Sequence, residues 1–404
     1  MMHLSTMSTL AAALIGLWTA QDQKPTFKTG VELVPVEVQV VGRDGKPVSG
    51  LKAADFEVTI GGRTRPVISV ELLEYASAGG PSAGGTTAAP ATLAPAAGGQ
   101  AQRRIYVLGV DEHSIRFGSA RAALEASKRF IAQLGPDDLV GLVAYPNATT
   151  RVDPTTDHAQ VVAALDKVRA LFEPPRTQYN ISAAEAIDIV SSNGGTAGQV
   201  VDRECAGLDD LAQMACANQV KLEGHGLGMA LESTLAQSLS GLRGLLNDMG
   251  ALPGRKILVL VSGGLVMSDR GVGRGDETGR MFEIGQIAAR TNTTLYALHM
   301  DTRFLDAFAE RRISHTIFRD ENIFSAGLER VAAAAGGTVF RIRTGSGDPA
   351  FNRVLLETSA QYLLGLDVAP EDRSDRAQII KVKVKAKGAT VRHRMSVVIP
   401  VAAK

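Results

Sequence analysis

Three continuous apolar runs restrict the fold more than any other feature of this chain: Arg104–Val110 (RIYVLGV), Leu139–Tyr145 (LVGLVAY) and Lys256–Val261 (KILVLV). A strand that alternates polar and apolar residues is covered on one face. A run with no polar face is covered on both, as in parallel sheets flanked by helices. Helical patterns lie between these runs. Ser119–Leu134 reads as an amphipathic helix stopped by Gly135-Pro136, and Asp157–Leu171 as a helix with Asp157 near its start. Arg280–Arg290 and Ile323–Ala335 read as two more, the last ended by Gly336-Gly337. Thr149–Asp153 reads as a short edge strand and Thr294–His299 as a further strand. The expectation for residues 103–358 is an α/β fold with a doubly wound, mostly parallel sheet. Ligands of such sheets bind beyond the carboxyl ends of the strands, where Asp111 and Ser262 stand.

At 404 residues the chain is too long for one ordinary core, and its flanks have another texture. Residues 31–41 alternate with period two, G42-R-D-G45 marks a turn, and Phe56–Ile60 and Pro66–Leu73 continue a small β module over 28–75. Residues 76–102 are almost entirely Ala, Gly, Pro, Ser and Thr, a composition expected of a flexible linker. From 176 to 250 there is no strand signal; a helical insertion is expected, clearest at Ala183–Val190 and Gly226–Leu246. The tail, 359–404, returns to β with Tyr362–Val368, Ile379–Lys387 and Val391–Val401. In Ile379–Lys387 the apolar Ile380, Val382, Val384 and Ala386 alternate with Lys381, Lys383, Lys385 and Lys387. That lysine row reads as a solvated face that also discourages edge pairing. The two ends of a doubly wound domain lie close together, and each β segment alone has too few strands to be stable. The β segments before 76 and after 359 are therefore expected to form one β-sandwich-like module.

Lys+Arg number 43 and Asp+Glu 42, so the chain lacks the basic balance that general nucleic-acid binding needs. With aromatics at 5%, no base-stacking platform is advertised. Leu10–Trp18 (LAAALIGLW) has the length of a signal core, too short to span a bilayer, and Ala20 precedes a polar segment. Residues 1–20 are read as a signal peptide, which makes the expected location periplasmic or secreted, with no transmembrane segment elsewhere. Cys205 and Cys216 are the only cysteines. In an exported protein they are expected to pair, since His225 alone does not complete a zinc site.

The candidate binding residues cluster at the strand ends: Asp111, His113 and Ser114 after the first apolar run, Ser262 after the third, and Asp269 beyond it. Asp111 and His113 would share a face of an extended segment, with Glu112 opposed. A Mg²⁺-class ion takes oxygen ligands in an octahedron; Asp111, Ser114 and Asp269, with Thr177 as a further hydroxyl, are the residues that would have to supply them. No G-x-S-x-G elbow stands between a strand pattern and a helix pattern, and no G-x-x-x-x-G-K-[ST] loop is present. A hydrolase would have to rest on Asp111 and His113, with neither nucleophile nor oxyanion hole in sight.

A strand running into Asp111 and followed by a helix resembles the layout of a von Willebrand factor type A domain. More specifically, the chain resembles the exported von Willebrand factor type A-related proteins first noted in Acidobacteria. The segments that carry the resemblance are Val34–Val58, Arg103–Asp111, Leu252–Gly264, Leu328–Phe340 and Gln361–Leu366, in this order. In the adhesion site of type A domains the first strand is followed by D-x-S-x-S. Here His113 and Ile115 occupy the two serine positions, Ser114 is displaced by one, and Ser262-Gly263 replaces Asp-Gly. The resemblance implies an exported or periplasmic adhesion-like domain without established enzymatic activity. The leading expectation is a non-catalytic module with no cofactor, engaging a protein or cell-surface partner through the loops around Asp111, Ser262 and residues 265–276.

Overall fold

A computed structural model of the protein describes residues 33–75, 103–117, 119–173, 177–191, 195–268, 277–300, 316–342 and 347–401. The expected signal segment 1–20, the expected linker 76–102 and Asp269 lie outside the described residues, as does most of 265–276.

The apolar runs form the inner strands of a six-stranded sheet. Its strands are β5 (Ile105–Asp111), β6 (Leu139–Tyr145), β7 (Arg151–Thr155), β8 (Lys256–Ser262), β9 (Thr293–Met300) and β10 (Thr338–Ile342). Their spatial order is β10-β9-β8-β5-β6-β7, all parallel except β7, which runs antiparallel to β6. Every residue of β5, β8 and β9 is buried, because alternate side chains feed two different cores. Tyr106, Leu108 and Val110 join the helices Arg121–Ile131, His158–Leu165 and Asp348–Glu357 on one face. Ile105 and Val107 join the distal half of the helix Asp210–Met249 and the helices Glu277–Arg290 and Ile317–Ala334 on the other. Arg104, at the start of β5, is anchored by a buried bidentate pair to Asp138, at 2.9 and 2.6 Å.

Among its described residues the insertion contains helices and no strand. The helices are Ala183–Val190, Thr196–Glu204 and the 40-residue helix Asp210–Met249, which is capped by Asp209 accepting from Ala212 N at 2.9 Å. Gly228 lets the long helix touch its neighbour: a Cβ there would stand 2.3 Å from Val190 Cγ2. Cys205 and Cys216 are joined by a disulfide that ties the end of Thr196–Glu204 to the first turns of this helix.

Two four-stranded sheets remain. Their strands are β1 (Val34–Val41), β2 (Phe56–Ile60), β3 (Arg63–Arg65), β4 (Val67–Glu74), β11 (Ala360–Leu366), β12 (Ser374–Val384), β13 (Thr390–Arg392) and β14 (Ser396–Ile399). They are ordered β13-β1-β11-β4 and β14-β12-β2-β3, so strands from both chain ends interleave in each sheet. One apolar core joins the two sheets, with Val36, Val38, Val58 and Ile60 meeting Tyr362, Leu364, Ile380 and Val382.

Several elements differ from expectation. The second helix stops at Leu165 rather than Leu171, and β10 and Asp348–Glu357 were not anticipated. The lysine row is solvent-facing; β12 pairs with β14 only as far as Ile379, so over Ile380–Val384 it is paired with β2.

Candidate functional site

β5 leads to β6 on one side, and the chain then crosses to β8 on the other side of β5. The carboxyl ends of β5 and β8 therefore flank the point where the winding reverses, the usual ligand crevice of an open parallel sheet. Asp111 closes β5 and Ser262 closes β8.

Past Asp111 the chain turns at once instead of staying extended, with Ser114 N donating to Asp111 O at 3.2 Å. The turn carries Ser114 back over the strand end. Ser114 Oγ lies 3.0 Å from Ser262 Oγ and accepts from Gly263 N at 2.9 Å. Ser262 Oγ donates to Asp111 Oδ2 at 3.3 Å and accepts from Gly264 N at 3.1 Å. The Ser-Gly-Gly exit is what permits this closeness: a Cβ on Gly263 would stand 1.9 Å from Ser114 O, so no other residue fits without moving the loop.

A fourth member comes from the long helix. Ser238 is 1% exposed and its hydroxyl favours the charged form of Asp111. Even so, Ser238 Oγ and Asp111 Oδ1 make no hydrogen bond of ordinary geometry. Asp111 has no exposed surface. Burial pushes its carboxyl up to about 6, opposed by the hydroxyls of Ser238, Ser114 and Ser262 and, more weakly, by His113.

The same turn separates the other two residues of the opening cluster. Glu112 is buried away from Asp111, accepting from Thr149 Oγ1 at 2.5 Å and from Arg169 N at 3.0 Å. His113 is partly exposed, between Gln237 Oε1 at 2.9 Å and Asn147 Nδ2 at 3.2 Å. Asp111 and His113 thus do not form a paired acid and base. Beyond them Phe117 is 68% exposed, and its amide bonds Phe172 O next to the exposed Leu171.

Among the described residues, which do not include Asp269, the donors around Asp111 do not fit a hard divalent cation. One carboxylate would leave such an ion's second charge uncompensated in a buried place. The three other oxygens are serine hydroxyls, and two of them are already committed to each other and to the Gly263 and Gly264 amides. Thr177 does not extend the set; its Oγ1 donates to Tyr179 O at 2.8 Å. Ser238 escaped the sequence reading, although it left a trace there. It is the one polar residue in the stripe Leu231, Leu235, Ser238, Leu242, Leu245, all buried in the structure.

No family model and no curated protein matches the sequence. Among solved structures the chain is similar to the human COPII-coat protein Sec24c, at 8% identity and a TM-score of 0.26, over 74% of this chain and 44% of that one. The chain thus spans less than half the length of that protein.

Proposed function

We propose that this chain is an exported, non-catalytic interaction module of the von Willebrand factor type A-related kind. It engages a protein or cell-surface partner through the loops at the carboxyl ends of its parallel sheet. The observation that carries this reading is the position of Asp111 and Ser262 at the reversal point of the sheet. There a serine cluster fixes two loops together, and the loop after β5 presents His113 and the exposed Phe117 outward. A rigid base under an exposed aromatic and a polar ring suits protein recognition, in which aromatic anchors dominate the affinity. The complete burial of Asp111 supports a metal-independent and non-catalytic role: the carboxyl has no exposed surface from which to meet a substrate. The apolar segment at Leu10–Trp18 and the Cys205–Cys216 disulfide support export. No helix among the described residues is long and apolar enough to cross a membrane.

A photo-crosslinking residue placed at Phe117 should give one discrete adduct in cells that export the protein. The same probe at Lys383, on the solvated face of β12, should not. Equal labelling from both positions, or none from Phe117, would remove the basis for this reading.

A further inference from the structure

At the opposite pole of the parallel sheet, where it meets the β-sandwich, an excess of positive charge is gathered in a largely buried seam. The segment entering β8 supplies Arg255 and Lys256, and the segment between β13 and β14 supplies Arg394. Facing these three cations is one carboxylate, Glu37 of β1. Its Oε2 lies 3.6 Å from Arg255 Nε and 3.9 Å from Arg394 Nη2, too far for tight pairs. Neighbouring Glu357 does not relieve the imbalance, because it is shared by Arg353 at 2.8 Å and Arg392 at 2.7 Å.

Exposure relieves it only in part: Lys256 is 3% exposed and the Arg255 side chain 9%, while the side chains of Arg394 and Glu37 are each 20% exposed. Burial pushes Lys256 and Arg394 below their ordinary values; Arg394 lowers Lys256 further, and Arg255 adds to the lowering of Arg394. Buried charges are ordinarily paired, and buried donors are ordinarily bonded. Here Arg255 Nε and Nη1 and Gln39 Nε2 are buried donors without a hydrogen-bond partner, as is the acceptor Gln361 Oε1. All three residues line one small cavity, with Glu37 and Arg394 on its wall. The cavity measures about 10 Å³, room for one occupant of roughly water size.

We infer that this seam binds a single small monovalent anion of halide size, held by Arg255, Arg394 and the Gln39 amide. Three unmet donors and an uncompensated positive charge call for an acceptor carrying negative charge, which a water does not supply. Phosphate, sulfate and carboxylate ligands are too large for the space. The anion joins the two halves of the molecule, since Gln39 and Arg394 belong to the sandwich segments and Arg255 leads into the parallel sheet. This site is independent of the Asp111 loops and stands or falls without them.

The test uses the full chain. Thermal unfolding is compared in sodium chloride and in sodium gluconate at equal ionic strength, and a crystal soaked in bromide is examined for anomalous signal. Chloride should raise Tm by about 2–4 °C over gluconate, and bromide should give a peak beside Arg255. Arg255→Gln should abolish the difference between the salts. A cavity holding only water in the bromide crystal would overturn the inference, as would equal Tm values in both salts. Should Arg255→Gln fail to fold, the bromide signal of the unsubstituted protein decides.

Discussion

Asp111 is the residue whose chemistry is furthest from ordinary. Its carboxyl is buried and raised to about 6 from 3.8. The folded state therefore holds its proton more tightly than the unfolded chain does. The contribution of Asp111 to stability is full below about pH 4 and is lost as pH rises through about 6, a swing on the order of 3 kcal/mol. Asp111→Asn keeps the shape, carries no charge, and can donate to Ser238 while accepting from Ser262. Relative to the parent, its urea midpoint should lose this slope between pH 4 and 6.5 and be equal or higher at pH 7.5. A variant that tracks the parent at every pH would show that Asp111 carries no such shift. In the sequence, Asp111 and Ser262 were legible as strand ends because apolar runs stop there. The contact of Ser114 with both was not, since it depends on a turn that replaces the extended path assumed after Asp111. Ser238 was hidden further still, as nothing local says that a helix from the insertion will pack over β5 and β6.

At the level of elements, legibility followed burial. β5, β6 and β8 are nearly all apolar because both faces are covered, and they were readable from composition alone. β10 is five residues long, sits at the sheet edge and is mostly half-exposed, so its pattern is weak. The long helix was readable only from Gly226, because its first turns lie exposed with Leu211 and Met214 pointing outward. Those first turns are where the disulfide acts. Cys205 and Cys216 close a short loop, and in the chain-entropy account a loop of this length stabilises by about 3 kcal/mol. The helix Thr196–Glu204 has few buried residues of its own, Thr196 and Val200. Cys205→Ser with Cys216→Ser should therefore loosen this helix first. Amide exchange should quicken in residues 196–216, with the parallel sheet protected as before. Unchanged exchange in that segment would mean that packing on Val200 and Val220 already holds it.

On the scale of the whole molecule, the two chain ends depend on each other. β11 runs between β1 and β4, its register reaching from Ala360 opposite Glu74 to Leu366 opposite Val67, and β12 pairs with β2 from Ile380 opposite Ile60 to Val384 opposite Phe56. Removing residues before 76 would bare both edges of β11 and half of the sandwich core, leaving an open apolar strand of the kind that drives aggregation. The pairing that joins the two chain ends lies within Val34–Glu74 and Ala360–Ile399. A chain cut by a specific protease at a site inserted between Gly84 and Gly85 should therefore elute as one species of the parent's size. The two pieces should separate only in denaturant. The piece beginning at Gly85, expressed alone, should aggregate. If the pieces part in native buffer, the strand pairing is too weak to hold the sandwich together, and the parallel sheet must be what keeps the C-terminal strands folded.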